Sequence, residues 1–106
     1  MSAFNILTAD ASCPSCGKTA RFDIQFKYGN TWQLRYSIGD ALKWGGNDVG
    51  EPGHKKVVAE GAAGPCPHCR AEHLDFAVRI EDDRIASVEP SSAAADSREG
   101  FIIEEA

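Results

Sequence analysis

The sequence predicts an all-β fold, an antiparallel sheet of hairpins with a four-cysteine cluster gathered at one end. Three observations predict it. Apolar and polar residues alternate with period two over three runs, no stretch keeps a helical period, and the four cysteines fall in two Cys-x2-Cys pairs. The chain of 106 residues is long enough for one small domain with an adequate core but not a generous one. That domain is expected over 1–89, with a polar linker and a C-terminal tail or edge strand over 90–106.

Short strands are expected over 5–7 and 56–59. Between them, Phe22, Ile24, Phe26 and Tyr28 alternate with Arg21, Asp23, Gln25 and Lys27. Trp32, Leu34, Tyr36 and Ile38 then alternate with Thr31, Gln33, Arg35 and Ser37. Gly29-Asn30 separates the two runs, and both residue types tolerate positive φ. Keeping both apolar sets on one face pairs Tyr28 with Trp32, so a hairpin with the three-residue loop 29–31 is expected. A third run sets Leu74, Phe76, Val78 and Ile80 against His73, Asp75, Ala77 and Arg79. Asp82-Asp83 is expected to turn it back into 85–88 as a second hairpin. Small residues over 61–65 deliver the chain into the second cysteine pair. At the C-terminus, Phe101-Ile102-Ile103 reads either as a last strand after a linker or as a short peptide that adds to a sheet edge.

The cysteine pairs are Cys13-Pro14-Ser15-Cys16-Gly17 and Cys66-Pro67-His68-Cys69. Two residues between thiolates let a tight turn aim both sulfurs at one cation, and two such turns supply the four soft ligands of a closed zinc site. Cys13, Cys16, Cys66 and Cys69 are therefore the expected ligands of one Zn²⁺ per chain. Iron, which also accepts four thiolates, is the alternative. Disulfides suit a secreted chain, but the start lacks a basic region and a long apolar core, and a cytoplasmic location is expected. A thioredoxin-like motif needs one such pair beside a βαβ unit, whereas here two pairs sit among strands. Such a zinc contributes on the order of 10 kcal/mol to folding, comparable with the whole stability of an ordinary domain.

The proline after the first cysteine of each pair presets a turn's φ, and Gly17 stands where positive φ is cheap. These residues resemble the Cys-Pro-x-Cys-Gly knuckles of zinc-ribbon and rubredoxin-like domains. The resemblance covers the two knuckles and implies a metal-pinned β-ribbon rather than a particular activity. Two departures stand out. Arg70 occupies the second glycine's place, which predicts a wider or strained turn. Residues 17–65, 49 in all, also exceed the usual ribbon insert.

The formal net charge is −5, and Zn²⁺ on four thiolates would take it near −7. Phosphate binding needs clustered Lys and Arg, but here the bases are scattered beside acids and only Lys55-Lys56 stand together, which disfavours nucleic acid. No apolar run is long enough to span a bilayer.

Residues 44–56 combine four glycines with Trp44, Asn47, Asp48 and His54. Loops of this length tend to be functional or disordered, and an aromatic anchor among adaptable polar neighbours suits binding. The plainer reading is a surface connector. His68 lies inside a knuckle whose tetrahedron four thiolates already fill, and His73 opens a strand facing outward. Four cysteines leave no open position for a catalytic zinc. The expected function is thus a structural zinc protein that recognises another macromolecule, a protein above all. An iron electron carrier and a small enzyme working through 44–56 are the alternatives.

Overall fold

The structure, a computed structural model, describes residues 4–91 and 101–103, and among them there is no helix. The strands are β1 (Asn5–Ser12), β2 (Thr19–Phe26), β3 (Gly29–Asn30), β4 (Arg35–Tyr36), β5 (Asp48–Val49), β6 (Lys56–Ala63), β7 (Leu74–Glu81), β8 (Arg84–Pro90) and β9 (Phe101–Ile103). The main sheet runs β4-β1-β2-β6-β7-β8, with β9 also paired to β6, and β3 and β5 form a separate two-stranded ribbon. All pairs are antiparallel except β1 with β4. The all-β antiparallel class read from the alternation is the class observed. No described helix is long and apolar enough to cross a membrane.

Each cysteine pair lies in the connection that turns one long hairpin. β1 and β2 pair from Asn5↔Phe26 to Ser12↔Thr19, so the turn is the first knuckle. β6 and β7 pair from Lys56↔Glu81 to Ala63↔Leu74, so the second knuckle lies in their connection. Between the hairpins, β2 meets β6 only at Gln25↔Ala62 and Phe26↔Gly61. Toward the knuckles they part around a cleft of about 290 Å³ lined by Asp23, Gln25, Ala62, Ala63, Gly64, Glu72 and His73. The outer edge of β8 is covered by the segment after β4. Gly39 N–H donates to Ile85 O (2.7 Å), Ile85 N–H to Asp40 O (3.0 Å) and Leu42 N–H to Asp83 O (2.8 Å). The sheet thereby curls toward closure, which removes an exposed edge.

The core is the inward face of this curled sheet, with Leu7, Phe22, Ile24, Phe26, Val57, Phe76, Val78, Ile80 and Ile85 all buried. The second hairpin forms as its sequence suggests. Asp82 and Asp83 both take positive φ, 51° and 59°, the geometry of a two-residue turn that matches strand twist. A bulge between Arg79 and Ile80 shifts the register, so that Ile85 and Val88 both face inward.

The hairpin expected to close at 29–31 does not form. Phe22, Ile24, Phe26 and Tyr28 are buried as predicted, but Trp32 is 66% exposed and Ile38 45%. After Phe26 the chain leaves the sheet, and Tyr36 returns beside β1 in parallel register with Leu7. Buried Asn5 latches this excursion: its Nδ2 donates to Tyr28 O (3.0 Å) and its Oδ1 accepts from Leu34 N–H (3.2 Å). Gly29-Asn30 pairs with Val49 and Asp48 instead of turning. At the C-terminus, β9 runs antiparallel to β6, with Ala59↔Phe101 and Val57↔Ile103, while 92–100 and 104–106 of the expected linker and tail lie outside the described residues.

Candidate metal centre

The two knuckles are built alike. In the first, Gly17 N–H donates to Cys13 O (2.9 Å) and Cys13 N–H to Lys18 O (2.9 Å). In the second, Arg70 N–H donates to Cys66 O (2.8 Å) and Cys66 N–H to Ala71 O (3.0 Å). Gly17 has φ 78° and Arg70 φ 61°. The second turn is therefore not wider. It is the same turn made by a residue whose Cβ resists the left-handed region.

Each knuckle contributes one buried sulfur, Cys13 and Cys66, and one exposed, Cys16 and Cys69. All four Sγ atoms lie within 4.8 Å of one another. The cross-knuckle pairs Cys13–Cys69 and Cys16–Cys66 are both 3.8 Å apart. A tetrahedral ion at about 2.3 Å from each sulfur has S···S edges of about 3.8 Å, so the donors fit such an ion. Backbone amides support the buried pair. Cys13 Sγ accepts from Ser15 N–H (3.3 Å) and Cys16 N–H (3.5 Å), and Cys66 Sγ from His68 N–H (3.4 Å). At Cys66 such bonding favours the thiolate, the ligating form.

Cys66 and Cys16 are shifted in opposite directions. The Cys69 amide pulls the Cys66 thiol down; loss of water opposes it, but the His68 amide and the Cys13 and Cys69 side chains assist, leaving the group at about 6. The Lys18 amide lowers the Cys16 thiol, but loss of water and hydrogen bonds with Cys13, Cys69 and Cys66 outweigh it and raise it to about 11. A cation that binds all four sulfurs must displace the Cys16 proton.

The cluster stands where the sheet lacks lateral bonding, at the tips of two hairpins that β2 and β6 barely join. An ion held there would tie the tips together. His68 contributes its backbone N–H to this centre, and His73, with φ 58°, borders the cleft between the hairpins.

The other predicted binding residues lie elsewhere and are held by the protein itself. Trp44 packs edge-on against Tyr28 with ring centroids 5.3 Å apart, and its buried Nε1 finds no acceptor among the described residues. Asn47 Nδ2 donates to Thr31 Oγ1 (3.1 Å), and Thr31 Oγ1 donates to Asn47 O (2.7 Å). The Asp48 carboxylate accepts from the Gly45 and Gly46 amides at 3.0 and 3.1 Å. His54 Nε2 stands 3.3 Å from Glu51 Oε1. The segment is thus a knitted wall rather than an open loop. Trp44 and Phe101 both meet the fully buried ring of Tyr28, a cluster that the alternating pattern did not indicate because its members lie far apart in sequence.

No protein-family model, curated protein or solved structure matches this chain.

Proposed function

We infer that this is a small zinc protein whose four-cysteine site is structural and whose work is to bind another protein, as an interaction or accessory module. The spacing of the sulfurs carries the first half: four sulfurs within 4.8 Å of one another, two of their edges at the tetrahedral 3.8 Å, would leave a bound ion no open position for substrate or water. A cytoplasmic setting keeps four such thiols reduced and free to ligate. The second half is supported by charge. A chain at −5 that becomes more negative on metal binding is poorly suited to phosphate backbones.

The test has two readouts on one sample purified without added metal. Elemental analysis and the visible spectrum distinguish one equivalent of colourless zinc from iron, whose thiolate complexes absorb strongly. Affinity capture with the metal in place, scored against a Cys16→Ser/Cys69→Ser control, then asks for a protein partner that needs the intact fold. Iron as the dominant metal would replace this reading with electron transfer. Capture of nucleic acid in place of protein would overturn its second half.

A further inference from the structure

Strand β9 occupies a place the sheet leaves open. β2 covers the edge of β6 at Gly61–Ala62 and then departs, and β9 takes up the same edge from Ala59 to Val57. Among the described residues it pairs there through Phe101, Ile102 and Ile103. Phe101 meets the buried Tyr28 ring at 5.1 Å and 65°. The opposite wall is the 48–51 segment, shaped to receive that ring. A Cβ on Gly50 would lie 2.4 Å from Tyr28 Cε1, and Tyr28 Oη donates to Glu51 O (3.1 Å). Phe101 and Ile103 leave space beside them. A cleft of about 530 Å³ lies between Asp48, Val49, Gly50, Glu51, Phe101 and Ile103, and Ile103 is 41% exposed.

A short edge strand, one aromatic anchor and unfilled space are the parts of a β-augmentation site, in which main-chain pairing gives affinity and alternate side chains give specificity. We propose that the edge of β6 from Val57 to Ala59, together with the cleft that residues 48–51 line beside it, is a peptide-binding site, and that Phe101–Ile103 is its occupant in cis. The partner is an extended protein segment that adds antiparallel to β6. It carries an aromatic residue at the Phe101 position and a larger apolar residue, Phe or Trp, two positions on. Exposed Lys55 and Lys56 precede Val57, the end of the paired stretch, which suits a segment that continues with acidic residues. The chain's own sequence has that order, Phe101-Ile102-Ile103-Glu104-Glu105. The proposal rests on the protein-binding half of the function inferred above and specifies its partner.

Tethering sets the expected size of the effect. A tail at an effective concentration of about 1 mM, with an intrinsic Kd of about 0.1 mM, closes the site about nine-tenths of the time and weakens a competing peptide about tenfold. The probe is a fluorescent peptide of residues 98–106, with Phe101→Ala and Ile103→Trp versions, titrated into metal-loaded full-length chain and its Phe101→Ala variant. The proposal expects about tenfold tighter binding to the variant than to the wild type, loss of binding by the Phe101→Ala peptide, and gain by the Ile103→Trp peptide. No binding to a variant that keeps its metal and unfolding transition overturns it, as does equal binding to both proteins. Should Phe101→Ala fail to fold, the full chain is cut at a protease site inserted within 92–100. Exchange of the severed tail for labelled peptide supports the proposal; a tail that never exchanges, or whose release unfolds the remainder, overturns it. Metal content measured in every sample keeps these outcomes separate from failure of the zinc assignment.

Discussion

Cys66→Ser removes a buried candidate ligand from the knuckle in the β6–β7 connection and should abolish metal binding. The magnitude follows from topology. Cys16 and Cys66 are 50 residues apart, and a cross-link over a loop of that size restricts the unfolded chain by about 4 kcal/mol. The folded state offers little in exchange, since β2 and β6 share only two register pairs and diverge toward the knuckles. With a urea slope of about 1–3 kcal/mol/M, the unfolding midpoint should fall by about 1–4 M. Small domains have about 5–15 kcal/mol in total, so the variant should be marginal. The assay is urea unfolding followed by tryptophan fluorescence, with and without a strong chelator. Wild type plus chelator should approach the variant, and the variant should ignore the chelator. A midpoint shift below about 0.5 M, in a wild type proven to hold metal, would refute the reasoning.

Three further outcomes are expected. Trp32→Ala should change stability by less than about 0.5 kcal/mol because Trp32 is 66% exposed, whereas buried Phe26→Ala should cost about 3–5 kcal/mol; equal losses in thermal unfolding would contradict the register described. Arg70→Gly relieves a non-glycine residue at φ 61° and should stabilise the metal-bound protein by about 0.5–1 kcal/mol, seen as a higher melting temperature; a lower one would show that the turn is not strained. Metal binding near pH 7 should release the Cys16 proton, since that thiol stands at about 11 while Cys66 stands at about 6. Protons compete with the ion for the sulfurs, so affinity should rise with pH, and calorimetry in buffers of different ionisation enthalpy reads the release.

What the sequence disclosed depended on how local the determining physics was. Cysteine spacing and the prolines are local, and both knuckles stand as turns of the expected kind. The 74–88 hairpin was legible because two residues that tolerate positive φ, Asp82 and Asp83, sit between alternating runs. The 21–38 stretch misled for the opposite reason. Its alternation is real, but the partner of β2 is β1, whose inward residues include Ala9 and Ala11, too small to give a strong apolar signal. The first knuckle itself marks that pairing, since a turn over 13–18 makes its flanks neighbours. Buried Asn5, bridging Tyr28 and Leu34, acts across 23 and 29 residues, and the meeting of Phe101 with Tyr28 spans most of the chain. No periodicity encodes such contacts. Residues 44–56 look like an open loop in composition, yet Asp48 and Asn47 spend their hydrogen-bonding capacity on neighbouring backbone and on Thr31.

The central claim is that four thiolates surround one metal ion. X-ray absorption fine structure at the metal edge, on protein purified without added metal, tests it most directly. The account predicts a zinc edge with a single shell of four sulfurs at about 2.3 Å. Nitrogen or oxygen scatterers at about 2.0 Å, or fewer than four sulfurs, would contradict it.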